Sequence, residues 1–510
     1  MNFPRASGIL LHPTSFPGPF GIGDLGNEAH AFIDFLAASK QSLWQVLPLG
    51  PTGFGDSPYQ CFSAFAGNTL LISPERLVQD GLLSEEDIRQ AQGFPTAYVD
   101  FGRAIPYKKA LLDKAFDNFR KTGDEALRNE FNAFCHESSF WLEDYALFRA
   151  LKDAHGGVEW TRWEPQFAVR DPGALAHARE ALRDGVEAEK FFQFLFFKQW
   201  AALKAYCRDR QIGIIGDTPI FVALDSADVW THPEMFKLGP DRRPIVVAGV
   251  PPDYFSKTGQ LWGNPTYNWE AMRSTGFAWW IDRLRATFRT VDILRIDHFR
   301  GFCACWEIPS EDKTAERGQW VAVPGRELFT TLRHRFGELP IIAEDLGVIT
   351  PDVEALRDEF QFPGMRVLQF AFRGDSKTID LPHNYIRNCV VYTGTHDNDT
   401  SVGWFRSKAG KGSTRDAEQI AREREYCLRY LNSHGREIHW DLIRAAWASV
   451  ANTAVVPLQD VLGLGSRTRM NLPASQEGNW RWRFRAGALS RKVCDRLGEL
   501  TELYGRVSEN

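Results

Sequence analysis

Cysteine is scarce: eight in 510 residues, with no C-x-x-C pair. A chain this long can bury a core without disulfides, so reduced thiols and a cytoplasmic setting are expected. Cys303 and Cys305 stand too close for a zinc knuckle with no second pair, and read as packing residues. No stretch reaches the ~18 apolar residues of a membrane-spanning helix. The opening MNFPRASGIL lacks the charged-then-apolar pattern of a secretory leader. Neither sign of charge dominates. With 60 basic and 65 acidic residues the net charge is −5, which gives no footprint for nucleic acid or an anionic membrane. Nothing in the pattern marks an oligomer interface, so a monomer is expected. The twelve histidines form no H-x-H and no H-E-x-x-H. No G-x-x-x-x-G-K-[ST] and no G-x-S-x-G elbow is present. A G-x-G-x-x-G does occur at Gly21–Gly26, but a Pro-rich loop precedes it instead of a strand, so it reads as a tight turn.

Short apolar, β-branched runs recur and end in polar or Gly/Pro residues. They lie at 8–11, 43–47, 213–217, 293–297, 341–345, 366–372, 390–395 and 454–458. Such continuous runs suit strands covered on both faces of a parallel sheet. Helical periodicity falls between them, at 28–38, 277–288, 325–336, 351–359 and 440–450. Eight strands alternating with helices predict an α/β fold, a (β/α)₈ TIM barrel. The spacing is uneven. A mainly helical insertion is expected at 60–210 after the second strand, with stripes at 106–121, 125–155 and 172–209. A loop-rich one follows the third strand at 218–275, and a helical one the seventh at 398–452. The 37 Phe and 17 Trp suit large cores and also stacking platforms.

Barrel enzymes of this class place their chemistry at the C-terminal strand ends. There the third strand ends in Asp217, the fourth in Arg295-Ile-Asp297-His298 and the fifth in Glu344-Asp345. The seventh runs into Thr395-His396-Asp397-Asn-Asp399. Carboxylates thus converge from four strands. Arg295 and Asp297 are two apart on a strand and share a face, so the guanidinium favours an ionised, nucleophilic Asp297. Glu344 on the adjacent strand suits a general acid, its pKa raised by the charge of Asp297. A pair about 5–5.5 Å apart performs retaining glycosyl transfer. Asp397 is a third acid, and His298 and His396 are suited to hydrogen-bonding sugar hydroxyls. Metal catalysis at such a rim is the competing chemistry.

These strings resemble the ordered short regions of the alpha-amylase clan. Fuller ones narrow the likeness: Pro58-Tyr59-Gln with Ser63-Ala-Phe-Ala-Gly-Asn68; Gly249-Val-Pro-Pro-Asp253 through Trp262-Gly-Asn264-Pro; and Gln459 to Gly465 with Arg469-Met-Asn471 and Asn479-Trp480. Together they are similar to 4-alpha-glucanotransferases, also called amylomaltases or disproportionating enzymes, over nearly the whole chain. The resemblance implies retaining transfer of 1,4-linked glucan segments between malto-oligosaccharides, with glucose as an acceptor and starch or glycogen chains as further partners. It implies no cofactor, no metal and no C-terminal β-sandwich. It makes Asp297 the nucleophile, Glu344 the acid/base and Asp397 the transition-state stabiliser. Arg295, Asp217, His298, His396 and the stacking Tyr59 would line the sugar site at the scission point, and Asn471 joins the substrate-binding set. Asp253, Gln260 and Trp262 would sit on a loop covering the acceptor side. The alternatives are a hydrolytic alpha-glucosidase or amylase on the same scaffold and a non-catalytic glucan-binding protein.

Overall fold

The computed structural model describes residues 3–89, 93–122, 124–252, 258–410, 415–473, 475 and 477–508. Among the described residues twelve strands follow one another: β1 (Ala6–Leu10), β2 (Leu43–Gln45), β3 (Gly213–Pro219), β4 (Val246–Val250), β5 (Gln260–Pro265), β6 (Ile293–Asp297), β7 (Ala304–Pro309), β8 (Gln319–Ala322), β9 (Ile341–Ala343), β10 (Gly364–Val367), β11 (Cys389–Tyr392) and β12 (Thr453–Pro457). Eight of them close a parallel barrel in the order β1-β12-β11-β10-β9-β6-β3-β2. All eight runs foreseen in the sequence are barrel strands, and the TIM-barrel expectation holds. Their residues are buried almost throughout, because helices cover the outer face and side chains fill the interior. The sixth run is shorter than expected: β10 stops at Val367 and the chain turns through a 3-10 helix, Leu368–Phe370. No β-sandwich follows the barrel among the described residues; the last helix described is Arg491–Leu503.

The helices obey local rules. In Asn27–Ala38 the buried residues are Ala29, Phe32, Ile33, Phe35 and Leu36, one stripe at helical spacing. Gly325–Phe336 stops at Gly337, whose φ of 79° no side chain adopts cheaply. The charged helix Ala417–Leu431 opens on a capping box between Asp416 and Gln419.

Between β2 and β3 the chain is mostly helical, but the stripes break differently from the sequence reading. The 125–155 stretch is two helices, Glu125–Glu137 and Ser139–Ala154, and 172–209 is also two, Pro172–Ala181 and Arg183–Arg208. The helix read from Pro106 begins at Phe101. Pro106 forfeits only a bond to the Gly102 carbonyl, and Gly102 is exposed to water. The 26-residue helix Arg183–Arg208 is the axis of this region. It accounts for many of the phenylalanines: Phe191 stacks on Phe119 at 4.3 Å, and Phe196 lies parallel to Trp200. A Cβ on Gly67 would come within 1.9 Å of Phe196, so only glycine lets the loop approach this helix. Gln193 fixes that approach, accepting from Gly67 N at 2.7 Å and donating to its carbonyl at 3.0 Å.

The stretch read as loop-rich, 218–275, contains regular structure. β4 and β5 join β7 and β8 in a four-stranded antiparallel sheet, ordered β5-β4-β7-β8. Two of its strands come from before β6 and two from after it, so the pairing is non-local. No single segment carries its signature.

Candidate active site

Asp217 and Arg295 are paired across β3 and β6, and both side chains enter the barrel. Arg295 Nη1 donates to Asp217 Oδ1 at 2.8 Å and Oδ2 at 2.7 Å, while Nη2 donates to Asp297 Oδ1 at 2.9 Å. One fork thus serves two carboxylates. Its Nε points to Met365 Sδ at 3.4 Å. Burial alone would lower the Arg295 pKa, but Asp217 and Asp297 overcome it and push it well above its ordinary value. The guanidinium is a fixed cation.

Glu344 follows directly on β9, the neighbour of β6. Its Oε2 accepts from His298 N at 2.7 Å and its Oε1 from Leu346 N at 3.0 Å. Burial first, and then the charge of Asp297, push its pKa up to about 8, against the pull of Arg295 and the two amides. Asp345 points the other way, as alternation demands. It accepts from Arg357 at 2.5 Å and from Met365 N at 2.6 Å, outside the cluster. Asp399 is also spent on structure, accepting from Ser466 at 2.7 Å and Thr400 N at 2.8 Å.

On the opposite wall Tyr59 OH donates to Asp217 Oδ2 at 2.8 Å. Its ring stacks on His396 at 5.0 Å and 16°, with Trp480 5.7 Å away. His396 Nε2 lies 3.4 Å from Asp397 Oδ1, and Asn471 Nδ2 donates to that oxygen at 2.6 Å. Arg469 donates to the Asp397 carbonyl. Asp397 is half-exposed. The predicted strand-end residues Asp217, Arg295, Asp297, His298, Glu344, His396 and Asp397 therefore form one continuous site, joined by Tyr59 and Asn471. Trp262, on β5, meets the His298 ring edge-on at 4.8 Å and donates to Gln260 Oε1 at 3.2 Å. Asp253 lies outside the described residues. Among the described residues no group of three His, Cys, Asp or Glu is arranged to hold a metal ion.

A model of the 4-alpha-glucanotransferase family matches residues 11–489. The chain belongs to that family. It is 53% identical over 506 residues to the 4-alpha-glucanotransferase of Synechocystis, covering 98% of each chain. It is 50% identical to that of Thermus thermophilus, covering 99% of this chain and all of the other. Amylomaltase from Streptococcus agalactiae, solved in complex with acarbose, superposes with a TM-score of 0.94 at 42% identity, over 99% of this chain and 100% of that one.

From the sequence no site role falls to His12 or to Trp480, although Asn479-Trp480 is among the strings that carry the family likeness. His12 stands two residues beyond β1, 4% exposed, against a small cavity that it shares with His396, Asn398 and Arg469. Burial, then the proximity of His396, push its pKa down to about 3. The strand-end rule reaches it once it is applied to every strand and not only to those that end in an acid. Trp480 carries no such signal; its loop reaches Tyr59 and His396 only in the folded chain. No described helix is long and apolar enough to cross a membrane. All eight cysteines are unpaired.

Proposed function

We propose that the chain transfers 1,4-linked glucan segments between malto-oligosaccharides by a double displacement, with glucose as an acceptor and starch or glycogen chains as larger partners. The observation that carries this reading is the contrast between two neighbouring carboxylates. Asp297 is held by a permanent cation, while Glu344 keeps its proton up to about pH 8. Asp297 attacks the anomeric carbon as the glycosidic bond breaks, and Glu344 gives its proton to the leaving oxygen. Esterified Asp297 no longer carries the charge that raises Glu344, so Glu344 becomes a competent base. It takes the proton of the acceptor hydroxyl as that oxygen displaces Asp297. Asp397, fixed by Asn471 and His396, stabilises the oxocarbenium-like state. Tyr59, Asp217, Arg295, His298 and His396 seat the sugar at the scission point. Gln260 and Trp262, with Asp253, serve the acceptor side.

The segments 60–210, 218–275 and 398–452 fit insertions into one catalytic barrel, with the middle one carrying the acceptor side. A cytoplasmic monomer acting without cofactor, metal, nucleic acid or membrane completes the reading.

Incubation with maltotriose tests it. Glucose with a ladder of longer malto-oligosaccharides is the expected result. Maltose and glucose with rising reducing ends would mean hydrolysis, and no products would favour a binding protein. Glu344→Gln is expected to lower turnover by roughly 10²–10⁴-fold. In the wild type kcat/KM should fall as pH rises through about 8, where Glu344 loses its proton; a profile flat to pH 10 would remove Glu344 from the acid role. A transferase must also disfavour water over sugar, and the indole of Trp262 with the amide of Gln260 is the surface that rewards sugar. Trp262→Ala should raise the share of hydrolysis in the products, and an unchanged ratio would refute that role.

A further inference from the structure

Trp262 does more than present a face to sugar, because of what lies behind it. The residue after β6 is His298, whose backbone is left-handed at φ 57° and ψ 52°. That conformation is uncommon outside glycine, though histidine reaches it more readily than most residues. Trp262 meets its ring edge-on at 4.8 Å, and the ring lies close enough to Gly301 that a Cβ there would stand 3.2 Å from His298 Cδ2. Its Nε2 is buried with no hydrogen-bond partner among the described residues. The ring is thus held by packing. The unusual backbone in turn aims His298 N–H at Glu344 Oε2, at 2.7 Å.

The sheet makes the link mechanical. Trp262 lies on β5, which pairs with β4, and β4 pairs with β7. β7 begins two residues beyond the short 3-10 helix Phe299–Phe302 that follows His298. The strand bearing the indole and the turn bearing the amide therefore belong to one hydrogen-bonded unit.

We propose that Trp262 is a positioning residue for Glu344, acting through His298: the indole holds the His298 ring, and the ring holds the amide on the acid/base. This rests on the acid/base reading of Glu344. Without the indole, His298 relaxes toward ordinary backbone angles and its N–H leaves the carboxylate. That amide favours the charged form, so its loss raises the pKa of Glu344 further. The charged groups facing Glu344 are Asp297 and Arg295 on β6, and those facing His298 are Asp297 and Arg300. All of them stay in place when the indole is removed.

The test is the pH dependence of kcat/KM for maltotriose, which reports groups of the free enzyme. Loss of a stacking contact changes the amplitude of that profile but not its limbs. In Trp262→Ala the alkaline limb is expected to move up by about one pH unit. In Trp262→Phe, which keeps an aromatic edge, it should stay with the wild type. If Trp262→Ala fails to fold, Trp262→Leu is read in the same way. A limb superimposable on the wild type in the Ala or Leu variant, with Glu344→Gln inactive, overturns the inference alone. Glu344→Gln retaining wild-type turnover overturns both the inference and the assignment beneath it.

Discussion

Asp297→Asn is expected to reduce transfer from maltotriose by roughly 10⁴–10⁶-fold, the scale on which other covalent nucleophiles fail when removed. The substitution keeps the shape of the side chain and leaves Arg295 its two bonds to Asp217. The fold should therefore hold, with an unchanged circular dichroism spectrum and an unfolding midpoint close to that of the wild type. A second consequence follows from charge. Asp297 is one of the two causes that raise Glu344, so its neutralisation should bring Glu344 down from about 8, with burial still acting. Carbon-13 titration of the labelled glutamate side chains would show this. Wild-type turnover in a folded Asp297→Asn enzyme would sink the nucleophile assignment.

Arg295→Met is the second large effect, and it should act on both stability and turnover. The Asp217 side chain has no solvent exposure, and Arg295 supplies two of its hydrogen bonds. Removing one member of a buried pair costs about 3–5 kcal/mol because the other charge is stranded. For 510 residues that is a fall in unfolding midpoint of about 4 °C, at roughly 2.1 cal/mol/K per residue. Turnover should fall as well, because Asp297 loses the donor that orients it. The double variant Arg295→Met/Asp217→Asn separates the two effects. With no stranded charge its midpoint should recover most of the loss, while turnover stays low. Calorimetry and the maltotriose assay decide. Unchanged midpoint and turnover in Arg295→Met would mean that the fork has no mechanical or chemical role.

Arg295→Lys is a sharper variant of the same test. Lysine keeps the charge but is a single point donor, and here one planar fork reaches two carboxylates on adjacent strands. Its turnover should lie between those of the wild type and Arg295→Met.

Strand-end logic makes most of the site legible in the sequence. Period-two alternation puts Arg295 and Asp297 on one face, and chain order along a parallel barrel puts Glu344 beside them. The same alternation separates Glu344 from Asp345, although the two acids are adjacent in sequence and equally apt in composition. Tyr59 and Asn471 were found only by likeness to a family, since nothing local marks a loop tyrosine or asparagine as a site residue. His12 was within reach of the same logic, and Trp480 was not.

What the sequence by itself determined was the barrel and its ring of acids. Continuous apolar strands can be buried on both faces only in a helix-covered parallel sheet, and strand ends place their polar residues on one rim. Only the tertiary structure decided how far Glu344 is raised, because burial, which outweighs the charge of Asp297 there, arises only in the folded chain. The four-stranded sheet that brings Trp262 against His298 was likewise decided in three dimensions. Its pairings join segments from either side of β6, and a local pattern carries no information about which distant strand will supply the partner for its hydrogen bonds.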